Sequence, residues 1–168
     1  MSRMIWMDFD AFVADSRSGP GGADPAEVVR RLPYSRLLEL DGSDSPRGPS
    51  LRSFRLLHEI PPAGPEAVSV IKIFEHVPGA RLRGRASPHA VVTLSCPLVS
   101  DAGRPFTYLA TVRADASGVF LARFPYATVG RNGGTVAAER PTARLGDRVV
   151  PFDVTEEQVR GGATVEIR

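Results

Sequence analysis

Between Ala90 and Phe124 apolar side chains return at every second residue, and only an extended strand places alternate side chains on one side. From 90 to 96, Val92, Leu94 and Cys96 share one face while Val91, Thr93 and Ser95 share the other. From 106 to 114, Phe106, Tyr108, Ala110, Val112 and Ala114 point one way and Thr107, Thr111 and Arg113 the other. Phe120, Ala122 and Phe124 continue the pattern, as do Val150, Phe152 and Val154, and then Ala163, Val165 and Ile167. Asp115-Ala-Ser-Gly118 has Asp at the first and Gly at the fourth position of a type I turn, which predicts a hairpin joining 106–114 to 119–124. Short strands with one apolar face, separated by Gly, Pro and Asp turns, predict a mainly β fold: an antiparallel β-sandwich or a partly open barrel. With 168 residues, 42% of them hydrophobic, the chain can bury such a core.

Val68 to Val77 breaks the rule. Val68, Val70 and Phe74 fall on one face and Ile71, Ile73 and Val77 on the other, so both faces are apolar and both are expected to be covered. The sandwich would cover one and the N-terminal third the other. That third reads as a small mixed α/β segment. Met4 to Phe12 is a short apolar element, and Asp24 followed by Pro25 is a helix start, with Val28, Val29 and Leu32 on the helix and Pro33 ending it. Tyr34 to Leu40 is a second short element closed by Asp41-Gly42, and Leu51 to Ile60 fits helix or strand equally. The prolines of 61–65 then divide the chain into 1–65, mixed α/β, and 66–168, the β-sandwich.

Composition excludes several function classes. The formal charge is only +2, from 21 basic and 19 acidic residues, and Arg81, Arg83 and Arg85 alternate along a strand as a solvated face, so no nucleic-acid partner is expected. Cys96 is the only cysteine, and it lies in phase with Val92 and Leu94, as a small buried hydrophobe. No apolar run approaches the roughly 20 residues needed to span a bilayer, and Asp8 and Asp10 interrupt the N-terminal apolar stretch that a signal peptide would need.

The candidate chemistry is sparse. Asp8-Phe9-Asp10 is an Asp-x-Asp pair of the kind that holds a divalent cation in some nucleotide-sugar enzymes, although Mg²⁺ or Mn²⁺ needs more oxygens than these two carboxylates supply. It is the candidate metal site. His58, His76 and His89 have no spacing that supports zinc, and the glycine loop Arg131 to Gly134 opens no helix that would bind an anion. No residue of this chain is assigned a catalytic or cofactor-binding role.

The stretch IKIFEHVPGARLRGRASPHAVVTLSC (71–96) followed by GRPFTYLATVRADASGVFLARFPYATVG (103–130) resembles the C-terminal extracytoplasmic region of archaeal oligosaccharyltransferase catalytic subunits. LLELDGS (37–43) and LRSFRLLHE (51–59) are similar to the family's linker. The β part is also similar to transthyretin-like sandwiches. The family transfers a dolichyl-linked glycan to asparagine, using carboxylates of a many-helix membrane portion to hold a divalent metal, Mg or Mn. This chain lacks that portion and the Trp-Trp-Asp-Tyr-Gly acceptor signature, Trp6 being its only tryptophan.

The resemblance therefore implies a non-catalytic soluble C-terminal domain of an oligosaccharyltransferase-like enzyme, as a truncated frame or separate subunit, on the extracytoplasmic face of the membrane. Its partners would be the membrane-embedded part of the enzyme or the acceptor polypeptide, with glycan as a possible ligand. The alternative is a free-standing β-sandwich that binds glycan or protein at the cell surface, and a glycosyltransferase-like use of Asp8 and Asp10 is a third.

Overall fold

A computed structural model describes residues 33–46, 48–60, 71–129 and 134–168. The expected helix after Asp24, the prolines of 61–65, Val68, Val70 and the element at 4–12 lie outside these residues. In chain order the elements are α1 (Pro33–Leu40), β1 (Phe54–Glu59), β2 (Lys72–His76), β3 (Ala80–Arg85), β4 (Val91–Val99), β5 (Pro105–Arg113), β6 (Val119–Phe124), β7 (Val136–Ala137), β8 (Thr142–Leu145), β9 (Arg148–Pro151), α2 (Glu156–Gly161) and β10 (Thr164–Ile167).

The described residues form two facing sheets and a ribbon. A three-stranded sheet runs β10-β3-β6, a five-stranded sheet runs β5-β4-β8-β9 with β7 also on β4, and β1 pairs with β2 alone. The sheets do not close into a barrel, so of the two architectures the alternation allows, the chain adopts the sandwich. Leu82, Phe120, Ala122 and Phe124 from one sheet meet Val92, Leu94, Cys96, Tyr108 and Ala110 from the other, all at most 2% exposed. The alternation thus assigned the inner faces correctly in β4, β5 and β6. Around Phe124 the rings of Tyr108, Tyr126 and Phe152 lie 5.8, 6.5 and 5.2 Å away, edge to face in each case, the arrangement aromatic quadrupoles prefer. Gly84 in β3 makes room for this packing. A Cβ there would sit 2.6 Å from Phe120 Cζ and 3.0 Å from the Ile167 carbonyl oxygen.

The predicted turn at 115–118 forms, but the hairpin does not. Gly118 N–H donates to the Asp115 carbonyl at 3.0 Å, and the Asp115 carboxylate accepts from the N–H groups of Ser117 and Val119. Instead of returning along β5, the chain crosses to the other sheet, where Ala86 N–H donates to the Gly118 carbonyl at 2.8 Å and β6 pairs antiparallel with β3. The reason is that the free edge of β5 is already taken. Asp44 N–H donates to the Leu109 carbonyl at 2.8 Å, the Ser43 hydroxyl accepts from Leu109 N–H and donates to the Thr107 carbonyl, and the Arg52 guanidinium donates to the Thr111 carbonyl. An edge capped in this way cannot accept another strand.

Two other features depart from the sequence reading. Glu156 to Gly161 is a helix, started by a capping box in which the Thr155 hydroxyl accepts from Gln158 N–H while the Gln158 side chain accepts from Thr155 N–H, and ended by Gly162 at φ 63°. It delivers β10 parallel to β3, the one parallel pair among the described strands. Second, the double cover expected for Val68 to Val77 is incomplete among the described residues. Val77 is buried, but Ile71 and Ile73 are 52% and 49% exposed. The Leu51 to Ile60 stretch, helix or strand by sequence, forms β1 and meets β2 edge to edge in an antiparallel ladder, so it does not lie across that face.

Candidate functional site

The densest concentration of chemistry is a seam of buried charge where the β1–β2 ribbon meets the sandwich. β1 does not alternate: the adjacent Arg55 and Leu56 are both buried, the register with β2 shifts between Leu56 and His58, and Glu59 is buried beyond the shift, so that two charged side chains, Arg55 at 2% and Glu59 at 1% exposed, lie inside. A buried charge needs partners that restore what water supplied.

Arg55 finds its partners on β2 and α2. Its Nη2 donates to Glu75 Oε2 at 2.6 Å and to Glu156 Oε1 at 2.7 Å, its Nε to Glu75 Oε2 at 2.9 Å, and its Nη1 to Glu156 Oε2 at 2.7 Å. Burial alone would pull the guanidinium pKa down, but the bonds from Glu156 and Glu75 outweigh it and hold the pKa above its ordinary value. The bond from Arg55 in turn lowers the pKa of Glu156, with help from Arg160, which donates to the same carboxylate at 2.6 Å. Residues far apart in the chain are thereby fastened: the ribbon to the helix that carries β10.

Glu59 faces the β4–β5 connection. Arg104 donates to both its oxygens, from Nε at 2.8 and 3.0 Å and from Nη2 at 2.8 Å, and the Ser100 hydroxyl donates to Oε1 at 2.5 Å. The same guanidinium makes a two-bond fork to Asp41 at 3.0 Å on each arm, and Lys72 Nζ donates to Asp41 Oδ1 at 2.8 Å. Bidentate forks of this kind are the strong class of charge-assisted bond. Burial would raise the Glu59 pKa, yet the bonds from Arg104 and Ser100 and the charges of Arg104 and Lys72 carry it below the ordinary carboxylate value. Asp41 stands just past the end of α1 at φ 51°, so the short helix serves to aim a carboxylate into the seam. Tyr126 completes the junction by accepting Leu56 N–H on its buried hydroxyl at 3.0 Å.

This arrangement ties the ribbon, α1, α2 and the β4–β5 connection together. A catalytic acid needs a raised pKa, whereas Glu59 and Glu156 are both held low by cations. At the rim His58 Nδ1 pairs with the Asp101 carboxylate, which also accepts Glu59 N–H; burial would raise the Asp101 pKa, but these bonds bring it below its usual value. The neighbouring Ser100 hydroxyl bonds Glu59, so the described residues do not assemble a nucleophile on this His–Asp pair.

The residues singled out in the sequence are scattered. Asp8 and Asp10 lie outside the described residues, as do Arg131, Asn132 and Gly133. Cys96 is fully buried with its thiol pushed up to about 12, the state of a core side chain. His76 packs edge-on against Phe54 with ring centres 5.3 Å apart, while His89 sits at φ 60° and offers its carbonyl to Arg113. Among the described residues no three His, Cys, Asp or Glu side chains converge, so these residues do not fit a resident metal ion. Sequence reasoning missed all of the seam. The available signal was Lys72, the sole lysine, standing with Glu75 among the apolar Ile71, Ile73, Phe74 and Val77.

Comparison with known proteins places this sandwich. The archaeal glycosylation protein B long peripheral domain matches residues 79–165, which covers β3 through the start of β10. The chain belongs to that family. It is 32% identical over 124 residues to the dolichyl-monophosphooligosaccharide–protein glycotransferase AglB of Haloferax volcanii, matching 68% of this chain but only 12% of that relative. Among solved structures it is similar to the Archaeoglobus fulgidus oligosaccharyltransferase tethered to an acceptor peptide with the NVT sequon, with a TM-score of 0.55 and 25% identity over 60% of this chain and 12% of the other. The AglB of the same organism, in complex with an inhibitory peptide and a dolichol-phosphate, shares the fold with a TM-score of 0.54, 22% identity and 91% of this chain covered. The chain thus spans about an eighth of the length of the relative from Haloferax.

Proposed function

We propose that this chain is the C-terminal peripheral domain of an archaeal oligosaccharyltransferase catalytic subunit, that it supplies no group to glycan transfer, and that it works on the extracytoplasmic face as a rigid block. The family match over 79–165 carries the assignment to the enzyme. The buried seam carries the mechanical part: every acid in it is engaged by a cation, an arrangement suited to fixing geometry rather than moving protons. The division into 1–65 and 66–168 belongs to this proposal, with β1 on one side of the prolines and β2 on the other, so that the ribbon couples the two parts. The block's partner is the remainder of the enzyme, which in this reading holds the divalent metal and the donor and acceptor sites.

Incubating the purified chain with a dolichyl-linked oligosaccharide, Mn²⁺ and a peptide containing Asn-Val-Thr tests the non-catalytic claim. No glycopeptide is expected by mass spectrometry. Turnover that disappears in an Asp8→Ala, Asp10→Ala variant would overturn the reading and give those carboxylates a catalytic role.

A further inference from the structure

The outer face of the three-stranded sheet carries a charge pattern that the fold itself does not need. β3 turns Arg81, Arg83 and Arg85 outward, and the register with β6 sets Arg81 directly opposite Arg123, Arg83 opposite Leu121 and Arg85 opposite Val119. On the other side β10 contributes Thr164 opposite Arg81 and Glu166 opposite Arg83. Like charges directly opposed across two strands repel. Only Arg83 has an acidic partner, Glu166 at 3.4 Å, and both side chains are about half exposed. Arg81, Arg85 and Arg123 form no ion pair among the described residues, and Arg52 at the end of the face donates only to neutral oxygens of Ser50 and Thr111.

The imbalance is local. Five arginines and one glutamate leave +4 on this face of a chain whose formal charge is +2, so the rest of the molecule nets −2. Such segregation creates an oriented field that draws the face toward negative charge. The face holds a depression of about 320 Å³ lined by Arg52, Arg81, Leu121, Ala122 and Arg123. Leu121 stands 55% exposed among the arginines. No aromatic side chain points out of these three strands, so the stacking platform typical of single-stranded nucleic-acid binding is missing.

We propose that this face rests on an anionic lipid surface, with the arginines on headgroup phosphates and Leu121 reaching toward the acyl boundary. A cationic sheet face carrying an exposed leucine matches the headgroup layer, where each basic residue adds an increment of attraction and an apolar group anchors it. The contact is peripheral, since no described helix is long and apolar enough to cross a membrane. The inference draws on the proposed function only for the nearness of a bilayer, and vesicle binding is read without any transfer reaction, so either can fail alone.

Vesicle flotation of the 168-residue chain tests it, using neutral phosphatidylcholine vesicles and vesicles that also contain phosphatidylglycerol. The expected result is binding to the anionic vesicles only, lost in about 1 M salt where the Debye length is ~3 Å. The Arg81→Glu, Arg123→Glu variant, checked for an unchanged thermal melt, should lose roughly tenfold or more of that partitioning. Leu121→Ser should weaken it less, and Arg148→Glu on the exposed part of the opposite sheet should leave it unchanged. Equal binding to both vesicle types, no binding at all, or equal loss in Arg148→Glu would overturn the proposal. So would capture by polyglutamate or single-stranded DNA that is sensitive to Arg81 and Arg123 without any binding to vesicles, since the face would then serve an acidic polypeptide or a nucleic acid.

Discussion

Phe124 in the sandwich and Glu59 in the ribbon are buried to the same depth, at 0% and 1% exposed, yet they are held by different physics. Phe124 is surrounded by three other rings and gains from leaving water in any orientation the packing allows. Glu59 gains only while Arg104 and Ser100 stand at 2.5–3.0 Å from its oxygens, because a carboxylate moved out of water has nothing else to replace its hydration. The sandwich is therefore a robust core. The ribbon's attachment is conditional: it fixes one geometry and depends on pH.

That contrast can be broken at its strong end first. Phe124→Ala should cost about 3–5 kcal/mol by denaturant unfolding, with the loss felt across both sheets, as for any large cavity in an aromatic core. Glu59→Gln should follow at about 3 kcal/mol, at the lower edge of what breaking a buried pair costs, since Arg104 is partly exposed and can recover some hydration. If Glu59→Gln proved as mild as a surface change, the seam would be an ornament of the junction and the contrast would collapse.

Acid sharpens the comparison. Glu59 and Glu156 both have folded-state pKa values below their ordinary ones, so the folded chain resists protonation more than the unfolded chain does. Their contribution is complete above the unfolded glutamate value of about 4.3 and is lost as pH falls through the lower folded values. Thermal melts between neutral pH and pH ~3 should show a plateau and then a fall, and the fall should be shallower in Glu59→Gln, which has one fewer group to protonate. The smallest effect is expected at Arg140–Asp153, a pair at 2.5 Å with side chains 58% and 46% exposed. Arg140→Ala should change stability by about 0–1 kcal/mol, because water screens the pair.

The same contrast explains what the sequence disclosed. The inner faces of β4, β5 and β6 were legible because period two is written in consecutive residues, and the exposed arginines of β3 follow from the same count. The residues from Ile71 to Gly130 also carried the family likeness. The helix at 156–161 had a local signal in Thr155-x-x-Gln158 that was masked by the strand-like alternation on either side. The seam had almost none. Glu59 meets Arg104 across 45 residues and Arg55 meets Glu156 across 101, and no spacing rule in one sequence announces that a charged residue at an apolar phase has a partner so far away. The hairpin at 115–118 failed for a related reason: its turn is local, but the groups that fill the edge of β5 come from Ser43 and Asp44, in the loop between α1 and β1.

Glycan transfer by a chimera tests the central claim most directly: the Archaeoglobus fulgidus oligosaccharyltransferase with the region corresponding to this chain replaced by it, assayed on a peptide containing Asn-Val-Thr. A rigid, non-catalytic peripheral block predicts transfer by the chimera, loss of transfer when the region is deleted, and loss in the Glu59→Gln chimera only over the temperatures at which that variant unfolds. Full transfer by the deleted enzyme, or loss of transfer in Glu59→Gln while the domain remains folded, would contradict it.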